Sequence, residues 1–158
     1  MTCLNSFFIA TGANQGDRIH NLFTARDLLK QHFHFIAESR VYESPAVDYL
    51  NQPDFYNQVL EFQIPTSHSA EDVMLLLLSI EKEMGRNRLI PKGPRLIDLD
   101  LLFWGNLRFN NETLILPHPR LFERSFVVLP LSELPGFNGL KTEFEFRFEF
   151  NNSAIALS

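Results

Sequence analysis

Residues 96–104 read LIDLDLLFW, an apolar run with Asp98 and Asp100 near its beginning. The run is predicted to be a β-strand, in which side chains alternate between faces, so both aspartates point the same way with Cα atoms roughly 7 Å apart. Leu102 and Trp104 continue that face, so the strand is expected to be covered on both sides beyond the aspartates. Two partly desolvated carboxylates are costly unless a metal ion or an arginine neutralises them.

The segments around this strand predict the fold class. Residues 6–11, 35–43 and 55–64 are typical of strands, and a helix is predicted to begin near Asp17. Residues 69–86 have the clearest helical pattern, opened by a capping-box pair of Ser69 and Asp72. The order strand, helix, strand, strand, helix, strand predicts a ferredoxin-like βαββαβ core. This is an α/β (α+β) single domain with a mostly antiparallel sheet and packed helices.

The last part of the chain, residues 138–158, is expected to be a phenylalanine-rich tail on a main domain of residues 1–137. In EFEFRFEF, residues 143–150, phenylalanine alternates with charged residues, and this period of two predicts a strand. We expect an extra edge strand that covers apolar surface of the domain. We also expect a monomer, with a dimer formed through the tail as the alternative.

Composition and charge argue against nucleic-acid and membrane partners. The chain has 158 residues and a formal net charge of −5, whereas domains that bind nucleic acids are usually basic. No apolar run approaches the length of a membrane span, and the first residues lack the basic region of a signal peptide. The single cysteine excludes an intrachain disulfide. These features predict a soluble cytoplasmic protein.

Four cations, Arg86, Arg88, Lys92 and Arg95, precede the aspartates in a loop that contains two prolines. A solvated face or ion pairs with the aspartates would explain them, but guanidinium groups beside two carboxylates match a polyphosphate better. Mg²⁺ suits the carboxylates, because it takes few protein ligands and keeps water for phosphate oxygens. The sequence therefore indicates a nucleoside triphosphate with Mg²⁺. Neither GxxxxGK[ST] nor GxGxxG is present, so side chains are expected to hold the nucleotide.

Two further clusters allow both a structural and a functional interpretation. PHPRLFER, residues 117–124, contains His118 and Arg124, which suit either a turn or a phosphate site. Residues 44–57, SPAVDYLNQPDFYN, combine aromatic rings with Asn57. This mixture is typical of an ordinary loop or of a pocket for a flat polar heterocycle, in which a ring stacks and an amide pairs with the ligand edge.

Three segments together resemble the 6-hydroxymethyl-7,8-dihydropterin pyrophosphokinases of the folate pathway. They are GRNRLIPKGPRLIDLDLLFWG (85–105), LPHPRLFERSFVVLPL (116–131) and SPAVDYLNQPDFYNQV (44–59). The resemblance runs from IATGAN (9–14) to about Pro135. It implies a ferredoxin-like fold and transfer of the β,γ-pyrophosphoryl group of ATP to the hydroxymethyl oxygen of the pterin, with release of AMP.

The resemblance also implies roles for individual residues. Asp98 and Asp100 would hold two Mg²⁺ ions and act in catalysis with Arg86 and Arg95. ATP would contact Arg86, Arg88, Lys92, Arg95, Leu101, His118 and Arg124. The pterin pocket would contain Gly12, Ser44, Pro45, Val47, Phe55, Asn57 and Phe126, with the two phenylalanine rings on either side of the heterocycle. Glu81 matches a family position and is expected to orient an arginine or the ions.

Three positions depart from the pattern of many family members. Lys92 stands where a tryptophan is common, Phe55 replaces a tyrosine, and Pro119 follows His118 where some members have an aromatic residue. These departures bear on loop closure and rate more than on the reaction itself.

Two other classes of function stay open from the sequence. A non-catalytic ferredoxin-like domain that binds a small ligand or a partner would have the same fold, but it has no use for two carboxylates beside four cations. A different Mg²⁺-dependent phosphotransferase, such as a nucleotidyl transferase, is compatible with the aspartate pair alone. In the pyrophosphokinase interpretation, the partners are small-molecule substrates.

Overall fold

The structure is a computed structural model that describes residues 4–46, 51–85 and 96–157. Its elements in chain order are β1 Ser6–Ala13, α1 Arg18–Lys30, β2 Phe35–Glu38, β3 Tyr42–Ser44, β4 Phe55–Gln63, α2 Ala70–Glu83, β5 Asp98–Trp104, β6 Phe109–Asn110, β7 Ile115–Leu116, a 3₁₀ turn Leu121–Glu123, α3 Ser125–Leu131, α4 Phe137–Lys141 and β8 Ile155–Ala156. Within these ranges no helix has the length and apolar character needed to cross a membrane.

The main sheet has the strand order β5-β1-β4-β3-β8, and β2 also pairs with β4. Every pairing among the described strands is antiparallel. Helix α1 follows β1, and helix α2 follows β4. Together with the antiparallel pairings, this order confirms the predicted α/β domain with a mostly antiparallel sheet and packed helices.

The single strand predicted over residues 35–43 is divided into β2 and β3. The break lies at Ser39, whose hydroxyl accepts a hydrogen bond from the Val59 N–H at 3.0 Å and donates to the Arg40 carbonyl at 2.8 Å. At this point a side-chain hydrogen bond replaces a backbone bond of the ladder. The two short strands therefore both pair with β4 but are interrupted between Glu38 and Tyr42.

Both long helices begin where the sequence predicts, each at a residue whose side chain caps it. The Asp17 side chain accepts from the His20 N–H at 3.0 Å at the start of α1. At the start of α2, Ser69 and Asp72 form the predicted capping box, with hydrogen bonds of 2.9 and 3.2 Å. The helix ends at Glu83, shortly before a glycine with φ of +86°.

A hydrophobic cluster lies on each face of the sheet. The helix-side cluster packs against α1 and α2 and includes Phe7, Leu22 and Leu77. The cluster on the other face packs against α3 and α4 and includes Phe8 and Phe103. It is called the cleft-side cluster, because this face carries the cleft described below. Consecutive residues of β1 thus enter opposite clusters, as the alternation of side chains in a strand requires.

The prediction that Trp104 lies on the face of the two aspartates is wrong. The register between β5 and β1 shifts between Phe8 and Ile9, which leaves Leu102 as an extra residue without a partner in β1. Such a bulge restarts the alternation of faces. Trp104 therefore joins the helix-side cluster, where it stacks on Phe7 with ring centroids 5.0 Å apart.

The strand predicted for residues 143–150 is absent, because these phenylalanine rings dock onto the folded domain instead of entering a ladder. Phe144 is buried in the cleft-side cluster, and the centroid of the Phe146 ring lies 4.8 Å from that of Phe137. Phe148 remains 52% exposed.

Among the described residues, the tail forms backbone pairs with the sheet at its far end. β8 pairs with β3, with Ala156 opposite Tyr42, and the Leu157 N–H donates to the Val41 carbonyl at 3.0 Å. The segment between the phenylalanines and β8 therefore passes from the cleft-side cluster to the edge of the sheet. The predicted division of the chain at residue 137 falls at the first residue of α4 and stays a prediction.

Candidate functional site

Three neighbouring strands place a row of three residues across one face of the sheet. Asp98 of β5 pairs with Gly12 of β1, and Gly12 pairs with Asn57 of β4. Directly opposed residues of antiparallel strands share a face, so the Asp98 carboxylate and the Asn57 amide flank the glycine. Asp100 lies two residues along on the same face, opposite Ala10.

Gly12 leaves open space at the centre of this row. A Cβ at this position would lie 3.5 Å from Asn57 Oδ1 and 3.8 Å from Phe55 Cδ1. These are ordinary van der Waals separations, so a side chain would fit the fold but would occupy the space above the sheet. The glycine therefore keeps the volume between an amide oxygen and an aromatic ring available to a ligand.

Hydrogen bonds orient the Asn57 amide toward this space. Its Nδ2 donates to the Ser44 hydroxyl at 2.8 Å and to the Tyr42 carbonyl at 3.3 Å. Both partners belong to β3, so the amide nitrogen points away from Gly12 and the oxygen points toward it. Asn57 is 7% exposed and Ser44 is 2% exposed, which holds the pair in place. An oriented acceptor beside a ring suits a flat ligand with N–H donors.

The bulge in β5 brings His118 close to the aspartates. The backbone N–H of His118 donates to the carbonyl of the extra residue, Leu102, at 3.0 Å, and its Nε2 lies 4.0 Å from Asp100 Oδ1. Burial lowers the pKa of the His118 imidazole, and the Arg124 guanidinium lowers it further, although Asp98 acts in the opposite direction. The imidazole is therefore neutral near pH 7 and can donate one hydrogen bond.

A buried carboxylate links α2 to the strand that carries the aspartates. Glu81 is 2% exposed, and its Oε2 accepts a hydrogen bond from the Leu99 N–H at 2.7 Å. Leu99 separates the two aspartates in sequence, so the position of α2 and that of the carboxylate pair depend on one another.

The described residues of both predicted substrate sites line one cleft of about 1510 Å³. The start of α3 contributes Arg124 and Phe126, with the guanidinium carbon 5.8 Å from the ring centroid. The predicted site residues that line this cleft are Gly12, Ser44, Pro45, Phe55, Asn57, Asp98, Asp100, Leu101, His118, Arg124 and Phe126. Leu101 also belongs to the helix-side cluster, with 5% of its surface exposed.

Residues 8–136 match the family model described as 7,8-dihydro-6-hydroxymethylpterin-pyrophosphokinase, HPPK. The chain belongs to this family. The resemblance noted in three sequence segments is thereby confirmed over most of the chain.

Curated relatives agree with this membership. The chain is 41% identical over 132 residues to the 2-amino-4-hydroxy-6-hydroxymethyldihydropteridine pyrophosphokinase of Bacillus subtilis, a match that covers 82% of this chain and 78% of that protein. It is 36% identical over 127 residues to the protein of the same name from Aquifex aeolicus, with 80% and 78% covered. It is 42% identical over 130 residues to the folic acid synthesis protein fol1 of Pneumocystis carinii. That match covers 82% of this chain but 17% of the longer fungal protein.

Membership of the HPPK family supports the function of an ATP-dependent pyrophosphokinase of folate biosynthesis. Five of the predicted site residues lie outside the residues that the structure describes. They are Val47, Arg86, Arg88, Lys92 and Arg95. Their roles stay predictions, as does the effect of Lys92 at the position of the family's common tryptophan.

The chemistry of the aspartate pair fits the Mg²⁺ expected in an HPPK. Asp98 and Asp100 present carboxylates on one face of β5, and carboxylate oxygens are the ligands that Mg²⁺ prefers. Within the described ranges, no group of three or more histidine, cysteine, aspartate or glutamate side chains could hold a metal ion. The pair therefore suits an ion that keeps several waters and takes further oxygens from substrate phosphates.

Other parts of the cleft were not predicted from the sequence. Leu75 and Leu78 of α2 line it and are 59% and 43% exposed. A signal for them exists, since four consecutive leucines, residues 75–78, cannot all face the same side of a helix. The tail also lines the cleft, through residues 145, 147 and 149–152, and no HPPK-like motif of the sequence indicates this.

Proposed function

We propose that this chain transfers the pyrophosphoryl group of ATP to the hydroxymethyl oxygen of 6-hydroxymethyl-7,8-dihydropterin and releases AMP, in tetrahydrofolate biosynthesis. The row of Asp98, Gly12 and Asn57 carries the proposal. It sets a carboxylate suited to a metal–phosphate complex beside a pocket suited to a flat heterocycle. Transfer between two bound substrates requires the reacting atoms to approach within about 3–3.5 Å, and two adjoining subsites make that approach feasible.

The pterin site consists, in this proposal, of Gly12, Ser44, Pro45, Val47, Phe55, Asn57 and Phe126. The Asn57 oxygen accepts from an N–H of the pterin edge, while Ser44 keeps the amide in its orientation. The rings of Phe55 and Phe126 stack on the two faces of the heterocycle. The space that Gly12 leaves open receives the ring system.

The ATP site consists of Arg86, Arg88, Lys92, Arg95, Leu101, His118 and Arg124. Arg124 and the loop cations bind triphosphate oxygens, and neutral His118 donates a hydrogen bond to one of them. Asp98 and Asp100 hold Mg²⁺, expected as two ions, which supplies charge neutralisation of the triphosphate and of the departing AMP.

The reaction forms a bond between the hydroxymethyl oxygen and the β-phosphorus, and the hydroxyl proton is released to water. The bond from the β-phosphorus to the oxygen that bridges it to the α-phosphorus breaks, and that oxygen leaves with AMP. Asp98, Asp100, Arg86 and Arg95 are the catalytic residues of the proposal. Their task is to hold the triphosphate in line with the hydroxymethyl group and to keep water out.

The proposal is tested by incubating the chain with ATP, 6-hydroxymethyl-7,8-dihydropterin and Mg²⁺ and separating the nucleotides. Formation of AMP that requires the pterin is the expected result. Formation of ADP would indicate a simple kinase instead. Binding of either compound without any nucleotide product would indicate a non-catalytic binding domain.

We also propose that the chain acts as a monomer in the cytoplasm, on small-molecule substrates alone. Phe144 and Phe146 of the tail pack within the same chain, which leaves less apolar surface for a second copy. The lone Cys3 is compatible with a reducing compartment. Light scattering after size-exclusion chromatography tests the monomer, and a mass of two chains would support the dimer through the tail.

A further inference from the structure

Asn152, in the C-terminal tail, makes three hydrogen bonds where the 3₁₀ turn meets α3. Its Oδ1 accepts from the Ser125 N–H at 2.8 Å and from the Ser125 hydroxyl at 2.6 Å. Its Nδ2 donates to the Glu123 carbonyl at 2.8 Å. The partners determine the orientation of the amide, because a backbone N–H can only donate and a carbonyl can only accept.

One of these bonds gives α3 an acceptor at its N-terminus, where the helix has no side-chain cap of its own. The residue at the N-cap position is Arg124, whose guanidinium has no acceptor and makes no capping hydrogen bond. The first N–H groups of a helix have no partner within the helix, and Ser125 is only 2% exposed. Asn152 therefore accepts, from 27 residues away, a hydrogen bond from the first N–H of the helix, whereas a local capping side chain accepts from the second or third.

Asn152 binds the backbone on both sides of Arg124, in the segment that also leads into Phe126. Glu123 and Ser125 lie on either side of Arg124, and Phe126 follows directly. Both Arg124 and Phe126 line the cleft. Fixing the chain on both sides of Arg124 determines where its side chain enters the cleft and how the next ring is presented.

Asn152 can act in this way because the tail is anchored before and after it. Phe144 is buried in the cleft-side cluster, and β8 pairs with β3. β3 ends at Ser44, which orients the Asn57 amide. The tail thus connects the two walls of the cleft.

We propose that Asn152 is a positioning residue for Arg124 and Phe126, and that the tail is part of the substrate cleft although it lies beyond the HPPK match of residues 8–136. The inference rests on the proposed function for the identity of the two substrates. The hydrogen bonds to Ser125 and Glu123 do not depend on it.

The test compares Asn152→Ala with Asn152→Asp, which keeps the acceptor for Ser125, and with Asn138→Ala, a matched change on the exposed surface of α4. Calorimetry at 25 °C measures the Kd for α,β-methylene-ATP with Mg²⁺ and for 6-hydroxymethyl-7,8-dihydropterin. We expect Asn152→Ala to weaken both by about five- to tenfold, the loss that a missing cap produces in an equilibrium constant. For Asn152→Asp, the Kd for the pterin should stay within about twofold of that of the unaltered chain. For Asn138→Ala, the Kd values for both ligands should stay within about twofold.

Two further measurements separate positioning from simple stabilisation. Hydrogen exchange should show faster exchange of the Ser125 amide in Asn152→Ala than in the unaltered chain. Steady-state kinetics should show KM raised with kcat less affected, as expected when binding contacts are lost. If Asn152→Ala lowers only the Tm and binds both ligands like the unaltered chain at 25 °C, the proposal is overturned.

Failure of the proposed function gives a different result. An unaltered chain that binds both ligands but forms no AMP would contradict the proposed reaction and leave the comparison of Kd values intact. An unaltered chain that binds neither ligand would overturn both proposals.

Discussion

The Glu81 carboxylate accepts a hydrogen bond from the Leu99 N–H at 2.7 Å, between the two aspartates of β5. The carboxylate is nearly inaccessible, and an unpaired N–H at the same place would have no access to water. This bond therefore couples the stability of the strand edge to the geometry of the candidate metal ligands.

Glu81→Ala is expected to destabilise the fold by about 2–4 kcal/mol, because it leaves a buried N–H without its acceptor and removes packed atoms. Glu81→Gln keeps an oxygen that can accept and should cost less. Urea unfolding measures both. Glu83→Gln, on the exposed side of the same helix, is the control and should stay within about 0.5 kcal/mol. Equal stability of Glu81→Ala and the control would contradict this account of the bond.

Asp98→Ala and Asp100→Ala are each expected to reduce AMP formation by about a thousandfold or more while the pterin Kd changes by less than about threefold. The carboxylates act on the metal–triphosphate complex, whereas no residue of the proposed pterin site lies on β5. Rate assays and calorimetry measure the two effects. Asp27→Asn, on the exposed surface of α1, should leave both unchanged. A near-normal rate in either alanine variant would exclude a role for that aspartate.

Gly12→Ala is expected to weaken pterin binding by about tenfold with little loss of stability. The new Cβ meets Asn57 and Phe55 at ordinary contact distances, so the fold tolerates it, but the methyl group fills the floor of the proposed pocket. Gly139→Ala in α4 is the control, since the atom nearest to its Cβ would be the flexible end of the Leu4 side chain, Cδ1, at 3.2 Å. Unchanged pterin affinity in Gly12→Ala would place the heterocycle elsewhere in the cleft.

Glu133→Gln is expected to remove part of the acid sensitivity of the fold. Burial alone would raise the pKa of Glu133, but hydrogen bonds from Tyr42 and Arg40 outweigh it and lower the pKa below the ordinary value of 4.5. A lowered pKa in the folded state contributes stability that is complete above the unfolded value and is lost as pH falls through the folded one.

The stability difference between the unaltered chain and Glu133→Gln should therefore be largest near about pH 7 and shrink toward about pH 3. Urea unfolding across this range measures it. Glu112→Gln, an exposed change, should give a difference that does not vary with pH. If the stability difference for Glu133→Gln did not change with pH, the hydrogen bonds from Tyr42 and Arg40 would not favour the ionised carboxylate.

The parts of the fold that depend on local signals could be predicted from the sequence. Asp17 and Ser69 cap helices because their side chains bond to groups three residues away, so the pattern is visible in a short stretch. The common face of Asp98 and Asp100 follows from the period of a strand. These features depend on neighbours in sequence alone.

Features that depend on distant partners could not be predicted. The alternation that assigned Trp104 to the face of the aspartates holds only without a bulge, and nothing in the apolar run of β5 distinguishes Leu102 as the extra residue. The period of two in residues 143–150 is typical of a strand, but a strand also needs the edge of a sheet to pair with. The phenylalanine rings of this segment pack on the apolar surface of the cleft-side cluster instead. Asn152 is one polar residue among several until its partners at α3 are known.

The bulge at Leu102 makes the chemistry of the cleft sensitive to the length of β5 more than to the identity of the bulged side chain. It is the carbonyl of this residue that receives the His118 N–H, and every amino acid has one. Substitutions at position 102 are thus a matter of packing volume, whereas deleting the residue would remove the bulge and this carbonyl together. Regular alternation would then keep Asp100 and Phe103 on the cleft side and Trp104 on the helix side, so the deletion would take away the backbone partner of His118 without turning either half of the strand over.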